Sequence, residues 1–298
     1  MSSYPVGSVT VTAIKELERW RFPSNHLYPD LTEEAFQLAC DTWGEEVTDR
    51  DSHELMLDIT CYLVEAPGRT ILVDAGNGND KCRPVMTAHH MFETDFLDRL
   101  AAAGVKPDAV DLVVSTHLHQ DHCGWNTQLV DGAWQVTFPN AEHLFSAREL
   151  AHVASYGRGA AEGTLEHDFF RTYEDTVEPV LLAGLGRTFE DRALLYDDGV
   201  TTVAAEVVGG HTPGHLVVTI ESAAGRAVIS GDVIHHPLQL ADLDLPQVGD
   251  VDPARAAAVR TELVRGCRER NTLLFTAHFP RPCRLAGDGS GGTTLTWA

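Results

Sequence analysis

Apolar positions along the chain fall into short runs broken by turn residues, with no long unbroken stretch. Positions 9–14 alternate apolar and polar, the period of a half-buried strand. The runs 56–65 and 70–74 are joined by Ala66-Pro67-Gly68-Arg69 and predict a hairpin. Positions 111–115 and 272–276 are short and continuously apolar, as in strands covered on both faces. The runs 201–208, 216–221 and 227–230 predict strands of a second half. Helical spacing marks 32–43, starting at Leu31 or Thr32 and forming a flap, and 95–103, closed by Gly104. It marks 252–269 most strongly, with Pro253 in the first turn and an Ala-rich face behind it. Segment 149–173 is mixed and largely helical, and 287–292 reads as a flexible loop. Strands and helices thus recur in two similar rounds, an α/β order without low-complexity segments.

The ends of the apolar runs carry the candidate chemistry. The strand at 111–115 leads into Thr116-His117-Leu118-His119-Gln120-Asp121-His122, three imidazoles and a carboxylate within six residues. Neutral imidazole and carboxylate hold borderline divalent cations such as zinc. Neighbouring side chains diverge, so one metal cannot use them all, and the spacing suggests two adjacent metals completed from elsewhere. The same rule, a polar residue at the end of an apolar run, finds His211, Asp232 and His278, which brings the set to five His and two Asp. Gly209, Gly210, Gly214 and Gly231 allow tight turns beside them. Singly, His211 or His278 reads as an ordinary histidine and Asp232 as a turn residue; as an ordered set they read as ligands.

The pattern H-x-H-x-D-H followed by a distant His, an Asp and a last His resembles the metallo-β-lactamase-fold hydrolases. The likeness runs over 9–278. Thr70-Ile71-Leu72-Val73-Asp74-Ala75-Gly76, Gly210-His211-Thr212-Pro213-Gly214-His215 and Ser230-Gly231-Asp232-Val233-Ile234-His235-His236-Pro237 are most similar to the branch of methyl parathion hydrolase and N-acyl homoserine lactonases. The resemblance implies a four-layer αβ/βα sandwich with a dinuclear site at one edge between the sheets. It implies one domain over 1–298, with a substrate-covering segment near 18–50 and a mostly helical insertion near 146–180. It assigns His117, His119 and His211 to one metal, Asp121, His122 and His278 to the other, and Asp232 to both. A hydroxide bridging two such cations is a nucleophile at neutral pH, and Asp121 would orient it. Asp74 is expected to orient a ligand imidazole such as His117, or else to form a turn, and His215 to support the site by hydrogen bonding. Lactonases of this branch carry a Tyr three places after the bridging Asp. Here His235 stands there, as a proton donor to the leaving group or as a packing residue.

Composition narrows the partners. Lys plus Arg is 22 against 44 Asp plus Glu, a net charge of −22. Such a surface repels phosphate backbones and anionic membranes and favours a neutral or cationic small molecule. The six cysteines include no C-x-x-C pair and read as reduced thiols, Cys123 packing beside the metal motif. Nothing resembles a signal peptide or a membrane span, so a cytoplasmic protein is expected, and the resemblance implies a homodimer. Trp20, Phe22, His26, Tyr28 and Trp125 are expected near an apolar substrate pocket. His89, His90, His143, His152 and His167 read as ordinary surface residues.

The expected activity is a two-zinc hydrolysis of a small neutral, apolar lactone or ester, or of an organophosphate triester. The alternatives are an iron-dependent oxidoreductase of the persulfide dioxygenase type and a thioester hydrolase of the glyoxalase II type.

Overall fold

The computed structural model describes residues 2–289 and 292–298. Part of the predicted 287–292 loop, residues 290 and 291, lies outside the described residues. Two sheets face each other. The eight-stranded sheet runs Ser3–Val6, Val9–Pro23, Glu54–Ala66, Arg69–Val73, Leu112–Val114, Glu142–Ser146 and Gly186–Phe189, and Thr48–Asp49 pairs with the start of Glu54–Ala66. The seven-stranded sheet follows chain order: Arg192–Asp197, Thr201–Val207, Leu216–Ser222, Gly225–Ile229, Leu273–Phe275, Cys283–Gly287 and Thr293–Trp297.

Period-two alternation builds the layers. In the first sheet Tyr62, Val64, Ile71, Val73, Leu112 and Val114 point into the space between the sheets. Their neighbours Cys61, Leu63, Leu72 and Val113 point outward beneath Phe96 and Leu100 of the helix Phe96–Ala102. In the second sheet Val218, Ala227, Ile229, Leu273 and Phe275 enter the same central layer. Val217, Val228 and Leu274 instead meet Val259 and Val264 of the helix Pro253–Glu269. Strands buried on both faces cannot alternate apolar with polar, which is why they appear in the sequence as unbroken apolar runs. The result is helix, sheet, sheet, helix, the expected mixed α/β layering. The last helix begins as predicted: Asp252 accepts the Arg255 N–H at 3.0 Å, and Pro253 occupies its first turn.

The first long strand departs from expectation. It continues past position 14 to Pro23, with pairing irregularities between Lys15 and Leu17 and between Leu17 and Trp20. Beyond Ile14 the sequence turns polar because one face is exposed, which hides the strand. Segment 18–50 therefore starts as part of the sheet, and only then gives the helix Glu33–Trp43, whose Phe36 and Ala39 pack with Leu238 and Leu245. Segment 146–180 holds the helices Ala147–Ser155, Leu165–Thr172 and Glu178–Leu182, with a π turn at Tyr173–Val177. That turn is tied to the preceding loop by Arg83, which donates twice to Asp175 at 2.7 Å. Among the described residues no helix is long and apolar enough to cross a membrane.

Candidate metal centre

Five strand ends meet at one edge of the two sheets. Arg69–Val73 delivers Asp74, Leu112–Val114 delivers the 116–122 loop, Thr201–Val207 leads to His211, Gly225–Ile229 to Asp232 and Leu273–Phe275 to His278. The Leu216 N–H donates to the Thr116 carbonyl at 2.8 Å and joins the two sheets beside the site. Gly231 must be a glycine: φ is +50°, and a Cβ there would lie 2.7 Å from Thr116 Oγ1 and 2.9 Å from His215 Nε2.

The seven sequence-derived residues converge. His119 Nδ1 lies 3.0 Å from His117 Nε2 and 3.0 Å from His211 Nε2. Asp232 Oδ2 is 3.6 Å from both of those Nε2 atoms. Asp232 Oδ1 is 3.2 Å from His122 Nε2 and 3.2 Å from His278 Nε2. Asp121 Oδ2 sits 3.7 Å from His122 Nε2 and 3.8 Å from His278 Nε2. Two groups capable of holding a cation result, one of His117, His119, His211 and Asp232 and one of Asp121, His122 and His278. His235 brings its Nε2 to 2.9 Å from Asp232 Oδ2 and joins Asp232 and His278 in a third such group.

The donor set fits a cation because the outward nitrogens are already committed. His122 Nδ1 faces Asp74 Oδ2 at 2.9 Å, and Asp74 also accepts the Thr116 N–H and hydroxyl at 2.7 and 2.8 Å. His211 Nδ1 faces Asp250 Oδ1 at 2.9 Å, and His278 Nδ1 faces the Asp58 carbonyl at 2.9 Å. Each of these partners accepts a hydrogen bond from Nδ1–H, so that a neutral ring turns the lone pair of Nε2 inward. His122 Nε2 and Asp232 Oδ1 are fully buried with no hydrogen-bond donor. Acceptors packed this closely against acceptors require positive charge between them. A proton competes with a cation for this place. Burial alone would lower the His122 pKa, but Asp232, Asp121 and Asp74 raise it well above the ordinary imidazole value. Burial pushes the Asp121 carboxyl up, yet His122, His89 and His278 outweigh it and hold it at about 2.

Some expectations need correction. Asp74 orients His122, not His117; its φ of +62° turns the carboxylate across the strand end. His215 does support the site, its Nε2 accepting the Asp232 N–H at 3.0 Å. Cys123 is buried, and its Sγ lies 3.3 Å from the His119 carbonyl and from Thr176 Oγ1, a packing role. Of the aromatics, Phe22 and His26 line a cavity of about 650 Å³ that borders His119. Tyr28 instead packs in a core with Phe36, and Trp125 stacks on Phe96 and donates to the buried Glu16 at 2.6 Å. Trp20 reaches the cavity through His89, edge-on at 5.0 Å between ring centres. His89, expected on the surface, lies on the cavity wall, with Nδ1 at 2.7 Å from Asn77 Oδ1. His152 is also on that wall, and His143 is buried between Phe138 and Phe145. Asp250 was missed altogether, since an aspartate in a loop carries no local signal of the imidazole it will meet.

The cavity wall is mostly apolar, with Val153, Tyr156, Leu165 and Phe169 from segment 147–172 and Val248 and Val251 from the loop before the last helix. Phe169 stands 5.7 Å from His119 between ring centres.

The profile of the Metallo-beta-lactamase superfamily matches residues 56–266. The chain is similar to the N-acyl homoserine lactonase AttM of Rhizobium radiobacter, 23% identical over 192 residues, which are 60% of this chain and 65% of that protein. It is similar to the N-acyl homoserine lactonase AiiA of Bacillus thuringiensis subsp. kurstaki, 26% identical over 240 residues, 75% of this chain and 82% of that one. In fold it matches AidC, a dizinc quorum-quenching lactonase solved with a product, at a TM-score of 0.78 and 19% identity over 100% of this chain and 97% of that one.

Proposed function

This chain belongs to the metallo-beta-lactamase superfamily, and from that premise we propose that it is a hydrolase using two divalent cations, zinc first among them. Its substrate is a small neutral lactone or ester, or an organophosphate triester, with an apolar arm. One observation carries the reading: five imidazoles and two carboxylates turn ligand atoms towards one another, with His122 Nε2 and Asp232 Oδ1 buried and unpartnered, beside an apolar cavity of about 650 Å³. The similarity to lactonases supports the lactone class.

In this reading His117, His119 and His211 hold one cation, Asp121, His122 and His278 the other, and Asp232 both. When bound, the cations lower the pKa of a shared water towards neutrality and polarise the substrate's carbonyl or phosphoryl oxygen. Asp121, ionised at neutral pH, accepts a hydrogen bond from the attacking water and aims it. His235 holds its Nε2–H against Asp232 Oδ2 and would donate a hydrogen bond to the leaving oxygen, which takes its proton from the attacking water once that water has added. A lactone alkoxide needs that proton, whereas an aryl phosphotriester leaves with little help. The cavity receives the apolar arm, and the same reading takes 1–298 as one domain working as a homodimer.

The test is metal analysis of the purified protein followed by lactones, aryl esters and phosphotriesters as substrates. About two equivalents of zinc-like metal per chain, with turnover lost on chelation and restored by metal, is the expected result. Full turnover in a stripped protein, or in Asp121→Ala, overturns the assignment. Iron with oxygen uptake replaces it with the dioxygenase alternative.

A further inference from the structure

The helix Ala147–Ser155 supplies cavity wall through Glu149, His152 and Val153, and the Glu149 carboxylate is committed to the backbone of two loops. The Glu149 side chain is 3% exposed. Its Oε1 accepts the N–H of Leu118 at 3.0 Å, and its Oε2 accepts the N–H of Gly214 at 2.9 Å. Leu118 stands between His117 and His119. Gly214 stands between His211 and His215. One carboxylate therefore spans the two loops that present the imidazoles of a single cation group, and those loops hang from different sheets.

We propose that Glu149 is a positioning residue that fixes the separation of His117 and His119 from His211, and so sets the affinity of that one cation position. This rests on the reading that those imidazoles hold a cation. The chemistry calls for a carboxylate. Two backbone N–H groups must be accepted at once in a buried place, and charge-assisted acceptance gives short, directional bonds. Gln offers one oxygen, and its NH2 would be turned against the second N–H. The approach is also close enough to require Gly214. A Cβ there would lie 2.2 Å from the Glu149 nitrogen and 2.6 Å from Ser146 Oγ, with no left-handed φ to explain the glycine otherwise. Gly214→Ala thus perturbs the same clasp from the opposite side without touching the carboxylate. Among the described residues no hydrogen bond joins Glu149 to Asp121, His122 or His278, and that group is the internal control.

The experiment measures cation binding by the full chain: competition of zinc with a chromophoric chelator, and cobalt absorption bands, for wild type, Glu149→Gln and Gly214→Ala. Thermal unfolding of each metal-free protein is recorded alongside. Glu149→Gln is expected to weaken one equivalent by about 10–100-fold and to change its cobalt spectrum, while the other equivalent binds as in wild type. Gly214→Ala is expected to weaken that same equivalent. If both variants bind two equivalents with wild-type affinity, the proposal fails. It fails too if both equivalents weaken together in step with a lowered metal-free melting temperature, which marks a general structural role. Should Glu149→Gln not fold, Gly214→Ala decides by the same criteria. A wild type that binds no cation instead overturns the metal reading itself.

Discussion

Replacing Asp250 by Asn is predicted to harm cation binding more than replacing it by Ala, while costing less stability. The side chain of Asp250 is fully buried and serves two masters. Its Oδ1 faces His211 Nδ1 at 2.9 Å. Its Oδ2 accepts the Gln247 N–H at 3.0 Å and lies 3.7 Å from the Arg260 guanidinium, itself 1% exposed. In Asp250→Asn the single amide oxygen turns to the side with two donors, Gln247 and Arg260. The NH2 then meets His211 Nδ1, which must become an acceptor. The imidazole proton moves to Nε2, the atom that has to be bare to bind a cation. In Asp250→Ala, water fills the gap and still accepts from Nδ1. The loss of affinity is therefore about 100-fold for Asn and about 10-fold for Ala, the two ends of the range for such outer partners, or about 2.8 and 1.4 kcal/mol. Stability runs the other way. Ala strands the Arg260 charge, but Arg260 keeps the carbonyls of Val233, Leu243 and Leu245. The cost then sits near the low end for a broken buried pair, about 3 kcal/mol, against about 1 kcal/mol for Asn, which keeps the acceptor. Chelator competition near neutral pH gives the first ordering, and urea unfolding of the metal-free proteins gives the second. Wild-type affinity in Asp250→Asn would refute the tautomer argument outright.

Two more predictions follow from the core and the cavity. Burial drops the pKa of His143 to about 4, against 6.5 for the unfolded imidazole. Above 6.5 both states are neutral there and nothing changes. As pH falls from 6.5 towards 4 only the unfolded chain takes up the proton, so wild type loses up to about 3 kcal/mol. His143→Leu should escape this part of the acid sensitivity, and parallel stability–pH curves for the two proteins would contradict it. Phe169→Ala removes an aromatic wall beside His119. It is expected to raise KM about tenfold for substrates with an aryl or long acyl arm, with kcat little changed and small substrates unaffected; a uniform loss across the substrate panel would argue against an apolar-arm subsite.

What could be read from the sequence, and what could not, follows from how far each signal travels. The ligand-bearing strand ends were legible because their strands are covered on both faces and appear as apolar runs, so the first polar residue after each run stands out. The strands Cys283–Gly287 and Thr293–Trp297 went unread because they are half exposed and carry Arg and Thr on the open face. The strand beyond position 14 was lost for the same reason. Asp74 reads either as a partner for an imidazole or as a turn residue, and the choice of His122 over His117 depends on a left-handed turn that composition does not announce. Glu149 shows a local pattern that points the wrong way. Ser146-Ala147-Arg148-Glu149 has the form of a capping box, and Ser146 Oγ does accept the Glu149 N–H at 3.5 Å. The carboxylate that should complete the box goes instead to two distant loops. His89 and His143 lacked any pattern, and only the packing of remote segments tells a surface histidine from a buried one.

The division of the proposed cation donors between the two sheets has a consequence for how the protein matures. His117, His119, Asp121 and His122 leave the ribosome long before Asp232 and His278. A nascent chain can complete its first sheet while its share of the centre is still half built, with inward lone pairs facing no cation. On the proposed reading, capture of both cations must therefore wait until Asp232 and His278 have been synthesised and the second sheet has docked on the first, and starvation for metal should accumulate a species in which that docking is incomplete.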